Sequence, residues 1–321
     1  MKSPAFDYIR ASSPQHALQL LAQHGDDACL LAGGQTLMAT LNMRLSQPTL
    51  VVDIGGLTQL AGITLHGRPG EETLRIGALT RHVEIEESPL VALHAPLMTQ
   101  AAPHIAHRAI RNLGTLGGTL AYADPAAEWP ACVVALGGTL VLLGEQGERR
   151  VPAASFFQGL FATARRDDEL LIACELPVIA PGQRHHFSEL ARRHGDYAIA
   201  GLAACATVQA QPSSARVNAQ VSGQASGQAS GQVSGQVTAP LGAQLSDVRL
   251  AFLSLGDRPV RATAAEAVLA AGPLNPARID EADAALRAEL QPFADLTHSA
   301  AAKTQMAATL MRRAVKALLA Q

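Results

Sequence analysis

NLGTLGGTLAYADPAAE, residues 112–128, places two adjacent glycines, Gly117 and Gly118, between the hydroxyls of Thr115 and Thr119, with apolar residues on either side. A second stretch of the same make lies upstream: LAGGQT, Leu31–Thr36, again Gly-Gly followed by a hydroxyl. Glycine permits positive φ and close approach of the backbone to a ligand. Successive backbone N–H groups in such turns form an anion-binding concavity, to which a threonine adds a donor. Two such loops brought together suit a diphosphate, and the pair predicts a site for the pyrophosphate of one dinucleotide. Neither copy fits the G-x-G-x-x-G fingerprint or the Gly-Lys-Ser/Thr of a P-loop, and each taken singly is equally compatible with a plain turn.

Working outward, the first loop sits in a small α/β unit. Ser13-Pro14 opens a helix with a capping side chain and Pro at its first position, and Gly25 closes it. Cys29–Leu31 and Thr49–Ile54 read as strands. Leu37–Leu45 reads as a helix with Met38, Leu41 and Leu45 at helical spacing. Toward the second loop, Thr73–Leu79 reads as a strand, Thr80 as the cap of a short helix through Glu86, and Pro89–Ala106 as largely helical, with Leu93, Leu97 and Ala101 on one face. After that loop, Trp129–Leu136 is expected to be helical, Thr139–Leu143 and Glu169–Leu176 to be strands, and Pro152–Gly159 a connecting loop. Pro177 and Pro181-Gly182 mark a domain boundary. Beyond it, Ala198–Val208 and Val248–Leu255 are strand-like, and Thr263–Ala271, Pro276–Leu290 and Ser299–Leu319 helical. Met306, Leu310, Val315 and Leu318 form the core-facing stripe of the last helix, and Arg312, Arg313 and Lys316 suit its C-terminal dipole. Ser222–Gln236 repeats S-G-Q; such a tract cannot bury a core and reads as a solvated insertion.

At 321 residues the chain has room for two domains with cores of their own. Hydrophobic residues make up 48%, charged residues 16%, and the formal net charge is −2, so nothing global recruits nucleic acid or a membrane surface. Aromatics at 3% argue against stacking platforms for single strands. MKSPAFDYIR lacks the apolar core of a signal peptide, and no apolar run approaches the ~20 residues of a membrane span, so a cytoplasmic protein is expected. Cys29, Cys132, Cys174 and Cys205 stand singly in apolar runs without a C-x-x-C, which reads as buried free thiols and indicates neither zinc nor an iron–sulfur cluster.

Four further features carry possible chemistry. Asp124 either accepts from ribose hydroxyls or caps a helix that starts at Pro125; Glu128 shares its stretch. RRHGDY, residues 192–197, is either an exposed turn or the segment that sets Tyr197 against a flat ring. His104 and His107 lie three apart with no third ligand in view, so a surface or core role is expected over a metal pair. No Ser/His/Asp or Cys/His arrangement stands out.

LLAGGQTLMATLNMRLSQPTLVVDI and IRNLGTLGGTLAYADPAAEWPA, in that order, resemble the two FAD-binding signatures of the flavin (medium, M) subunit of molybdenum hydroxylases of the xanthine dehydrogenase and carbon monoxide dehydrogenase type. DELLIACELP and FSELARRHGDYAIAG extend the resemblance over nearly the whole chain. The resemblance implies an α+β fold. An FAD-binding domain of the vanillyl-alcohol oxidase (PCMH) type, residues 1–178 with lobes of about 1–57 and 58–178, is followed by an antiparallel-sheet-plus-helices domain, residues 183–321, with its low-complexity insertion at about 212–244. It implies that Leu31, Ala32, Gly33, Gly34, Gln35 and Thr36, with Thr115, Leu116, Gly117, Gly118 and Thr119, cradle the FAD diphosphate. Asp124 and Glu128 fall toward the nucleotide half, Ile172 near the flavin, and Tyr197 against the isoalloxazine. Leu37 is apolar where animal xanthine dehydrogenases carry an acidic residue near the flavin. The implied role is electron transfer: a large partner subunit carries the molybdenum cofactor, a small one two [2Fe–2S] clusters, and this chain's FAD passes the electrons to an external acceptor. A self-contained FAD oxidoreductase of the same fold and a flavin-free scaffold subunit are the alternatives.

Overall fold

The computed structural model describes residues 2–68, 70–209 and 242–321; the Ser222–Gln236 repeats lie outside the described residues. The first lobe runs β1(Asp7–Arg10), α1(Pro14–His24), β2(Ala28–Leu31), α2(Leu37–Asn42), β3(Leu50–Asp53). Its three strands form a parallel sheet in the order β1-β3-β2, with β3 central. Parallel neighbours need crossovers, which α1 and α2 supply. The Ser13 side chain accepts from the His16 N–H and Gly25 closes α1 at φ 52°, as read from sequence. The second helix is shorter than its periodicity suggests. It ends at Asn42, Arg44 takes a left-handed φ of 59°, and Leu45 turns to solvent while Leu41 alone is buried.

The second lobe contains β4(Ile63–His66), β5(Thr73–Gly77), the helices α3(His82–Glu87), α4(Pro89–His94), α5(Pro96–Ala101), α6(Arg108–Arg111), α7(Leu116–Tyr122) and α8(Glu128–Ala135), then β6(Thr139–Gly144), β7(Gly147–Pro152), α9(Ala153–Phe156), β8(Phe157–Gly159), β9(Ala162–Thr163) and β10(Leu170–Pro177). Five strands pair antiparallel in the order β4-β5-β10-β6-β7. Three expectations are corrected here. Pro89–Ala106 is broken before Pro96, whose ring disfavours helical backbone at Ala95, and Leu93 is 64% exposed. Thr80 does not cap α3; its hydroxyl bridges the N–H and carbonyl of Gly62 instead, and Arg81 is the cap residue. Pro152–Gly159 is a short helix and strand that bury Phe156 and Phe157.

The remaining strands, β11(Gln183–Leu190), β12(Ala200–Gln209), β13(Gln244–Leu253) and β14(Val260–Arg261), form an antiparallel sheet in sequence order, followed by α10(Thr263–Ala270), α11(Pro276–Glu289) and α12(Ala300–Ala320). The strand β13 begins at Gln244. Central β12 reads as the near-continuous apolar run AGLAACATV because both of its faces are covered. Leu202, Ala204 and Ala206 face the core under α10–α12, and Ala203 faces the core shared with α8 and the five-stranded sheet. Arg312 does not serve the end of α12; it spans to Asp280 and Asp283 on α11, at 2.7 Å each. Among the described residues no helix is long and apolar enough to cross a membrane.

Candidate functional site

The first Gly-Gly loop leaves the C-terminal end of β2. Gly34 has φ 71°, which an L side chain rarely adopts, and its carbonyl accepts from the Met38 N–H to open α2. Gln35 Nε2 donates to the Gly33 carbonyl at 3.0 Å and pins the turn. The N–H groups of Ala32, Gly33, Gly34, Gln35 and Thr36 have no acceptor among the described residues. Five successive open donors on a part-exposed turn are the feature an anion would satisfy.

The second loop is built differently from the first. Four of its N–H groups are spent on the protein: Leu116 donates to Thr80 O at 3.0 Å, Gly117 to Ala78 O at 2.7 Å, Gly118 to Thr115 Oγ1 at 3.2 Å and Thr119 to Thr115 O at 3.2 Å. Thr115 is the N-cap of α7, and capping consumes the donors that an open turn would offer. Gly117 is required by packing, since a Cβ there would stand 2.4 Å from Ala78 Cβ. What this loop offers is hydroxyls and the small bulk of Gly118.

A group that sequence reading missed orients one of those hydroxyls. His82 is buried, and its Nδ1 accepts from Trp129 Nε1–H at 2.9 Å. Burial, with the Arg111 charge beside it, lowers the His82 pKa to about 4, so the ring is neutral at pH 7 and carries its proton on Nε2. Nε2–H therefore donates to Thr119 Oγ1 at 3.3 Å, leaving the threonine's own proton as a donor. Arg111, itself buried, grips Glu86 and donates to the carbonyls of Ile105 and Ala106, fixing the chain that enters the loop. No spacing rule links His82 to Trp129, 47 residues on, and only the fold brings them together.

The two loops meet. A Cβ on Gly33 would lie 2.2 Å from Leu113 O and 2.9 Å from Gly114 Cα, so backbone lies directly on backbone; a Cβ on Gly118 would lie 3.9 Å from Ala32 Cβ. Leu31 ends β2 beside Gly34. The residues fit a diphosphate. The first loop supplies open N–H donors, and the Thr119 hydroxyl stands on the loop packed against it.

Asp124 and Glu128 follow the C-terminal end of α7 in the chain. No helix starts at Pro125: α8 begins at Glu128 with Ala127 as its cap residue, and Asp124 Oδ1 instead accepts from the Ala126 N–H at 2.9 Å, closing a turn, while burial raises its pKa. Glu128 begins α8. Burial first, and then the like charges of Glu189 and Asp124, push its carboxyl up to about 8, so it is protonated at neutral pH. Tyr197 is 70% exposed on the turn closed by Gly195 at φ 86°; partial burial of its phenol first, and then the nearby Asp124, Tyr122 and Glu128, raise its pKa. Tyr122 packs on Phe161 with centroids 5.0 Å apart. Ile172 is a core residue at 6% exposure; its carbonyl accepts from Ala78, whose own carbonyl holds Gly117, so it touches the site through the backbone. His104 and His107 diverge: His104 stands 3.4 Å from Glu189 and packs on Phe187, while His107 lies against Gly195. All four cysteines are free, and Cys29 is the one that is part-exposed.

Two family models match the chain: the FAD binding domain in molybdopterin dehydrogenase over residues 4–179, and the CO dehydrogenase flavoprotein C-terminal domain over residues 232–318. The 6-hydroxypseudooxynicotine dehydrogenase complex subunit alpha of Paenarthrobacter nicotinovorans is 43% identical over 67% of this chain and 72% of its own length. The nicotine 6-hydroxylase medium subunit of the same organism is 33% identical over 98% of both chains. Among solved structures, the carbon monoxide dehydrogenase of Hydrogenophaga pseudoflava superposes with a TM-score of 0.85 at 32% identity, covering 100% of this chain and 99% of that one. The chain therefore belongs to the FAD-binding medium subunits of the molybdenum hydroxylases, the oxidoreductase family that includes carbon monoxide dehydrogenase.

Proposed function

We propose that this chain is the electron-transfer subunit of a cytoplasmic molybdenum hydroxylase, working between a large molybdenum-binding subunit, a small [2Fe–2S] subunit and an external acceptor. The observation that carries the reading is the row of five open N–H donors from Ala32 to Thr36, on a loop whose Gly33 lies against the Leu113–Gly114 backbone. On this reading residues 1–178 bind the flavin and residues 183–321 close the site from the side of Tyr197. FAD held by these residues would supply the electron relay between the small subunit's clusters and the acceptor.

The chain's own residues hold and orient. Ala32–Thr36 present N–H groups to the diphosphate, and Thr36 and Thr119 add hydroxyls. Gly33 lets the first loop lie directly on the Leu113–Gly114 backbone, and Gly118 leaves room for Thr115 Oγ1 beside Ala32. The Trp129–His82 pair fixes the direction of the Thr119 hydroxyl. Asp124, with Oδ1 committed to its own turn, offers Oδ2 to ribose hydroxyls. Glu128 keeps its proton to about pH 8 and so adds no negative charge next to the cofactor at neutral pH. Tyr197 is free to lie against the isoalloxazine.

Purification of the chain with the products of neighbouring reading frames tests this proposal. Co-isolation with stoichiometric molybdenum, iron and FAD is expected. A flavin in the isolated chain that is bleached directly by an organic substrate would contradict it.

A further inference from the structure

The turn between β13 and β14 touches the candidate site in a way that neither its sequence nor its distance along the chain announces. Ser254 has φ 64°, a left-handed conformation that a serine adopts only when its surroundings hold it there. Its N–H donates to the Pro125 carbonyl at 2.9 Å, in the middle of the Asp124–Glu128 loop. Its carbonyl accepts from Lys303 Nζ at 3.4 Å. Lys303 lies on the first turn of α12 and is 8% exposed, unusual burial for a lysine. Asp295 Oδ2, at 2.9 Å, supplies its counter-charge, and Asp295 is in turn fixed by the N–H groups of Thr297 and His298. The same β-turn reaches the other side of the site: Arg258 donates to the Gln158 carbonyl at 3.0 Å, on the hairpin whose Phe161 packs against Tyr122.

We propose that Lys303 is a positioning residue for the flavin site: through Ser254 it holds the Pro125 carbonyl and so sets where Asp124 and Glu128 stand. The inference rests on the reading that Asp124 and Glu128 face bound FAD. The Asp295 ion pair anchors the ammonium at the start of α12, and the same ammonium donates to the carbonyl of the left-handed Ser254, whose N–H holds a loop 129 residues earlier in the chain.

The test compares full-length wild type with Lys303→Met, Lys303→Arg and Leu318→Ala, the last a destabilising change on the same helix facing the C-terminal core. Two quantities are read: amide exchange over residues 123–128 in the FAD-free chain, and FAD affinity by flavin fluorescence. Removing a charge-assisted hydrogen bond should speed exchange at Ala126 and Ala127 about tenfold and weaken FAD binding by a similar factor. Lys303→Arg should restore both, and Leu318→Ala should leave both near wild type despite its lower melting temperature. Exchange over residues 123–128 unchanged in Lys303→Met, or accelerated as much in Leu318→Ala, overturns the proposal. A wild-type chain that takes up no FAD overturns the flavin reading instead, while the exchange result still decides the brace.

Discussion

Gly33→Ala is the substitution for which the structure gives the firmest consequence. An added Cβ would sit 2.2 Å from the Leu113 carbonyl oxygen and 2.9 Å from Gly114 Cα, where ordinary contact begins at 3.4 Å. Both neighbours are backbone and cannot swing aside as a side chain would, so one loop must retreat from the other by about 1 Å. Leu113 and Gly114 are tethered by the Ile110 and His82 backbone hydrogen bonds, at 2.8–3.1 Å, and the first loop has few protein bonds of its own, so it is the first loop that moves. Overpacking of this kind costs ~1–3 kcal/mol of fold stability, and a 1 Å misplacement of binding groups costs about 100-fold in what they bind. The expected result is FAD affinity at least ~100-fold weaker, about 2.7 kcal/mol, with a folded chain. Titration followed by flavin fluorescence, with circular dichroism as the check on folding, measures both. Gly144→Ala, whose Cβ would meet only Glu169 Cγ at 3.4 Å, is the control. A folded Gly33→Ala chain with wild-type FAD affinity refutes the convergence of the two loops on the diphosphate.

Gly34→Ala should weaken FAD binding less, by about fivefold, because the cost is the ~1 kcal/mol of holding alanine at φ 71° and not a backbone collision; a loss as large as that of Gly33→Ala would show that the turn itself collapses. Glu128 has its folded pKa raised to about 8 from 4.5, so the folded chain binds more protons than the unfolded one between those values and stability falls as pH rises through that window, by at most ~1.4 kcal/mol per pH unit. Urea denaturation of the FAD-free chain at pH 5, 6, 7 and 8 should show that slope reduced in Glu128→Gln, and an unaltered slope would mean the carboxyl is not desolvated. The lowered pKa of His82 has the opposite sign: its contribution is present above pH 6.5 and is lost as pH falls toward 4. Trp129→Phe leaves His82 Nδ1 buried without its donor and should cost ~1–3 kcal/mol in the same assay; a neutral result would indicate that the ring turns or hydrates.

The local punctuation of the chain was readable in advance. Ser13-Pro14 and Gly25 bound α1 as their chemistry requires, and the apolar runs at Cys29–Leu31 and Ala198–Val208 are strands. The Gly-Gly pairs were legible as loops, and their order carried the family. Their division of labour was not, because it depends on partners far away in sequence. Gly117 is a glycine on account of Ala78, and Gly33 on account of Leu113. Thr80 looked like a cap because capping is a local property, but Gly62 offered both a donor and an acceptor. Leu93 fitted a helical stripe that Pro96 interrupts. Likewise Glu128 has no sequence mark of its protonation; that follows from Glu189, brought from β11 against α8 by the packing of the two halves. The His82–Trp129 pair and the Lys303–Ser254–Pro125 series are of the same kind, tertiary contacts between residues whose own segments say nothing of each other.

The account stands most directly on the flavin content of the chain. Full-length wild type and Gly33→Ala, purified side by side and saturated with FAD, should be desalted, denatured and assayed for released FAD by absorbance and fluorescence. The account predicts one FAD per wild-type chain and essentially none from a folded Gly33→Ala chain. A folded wild-type chain that releases no FAD, or equal release from both proteins, contradicts it.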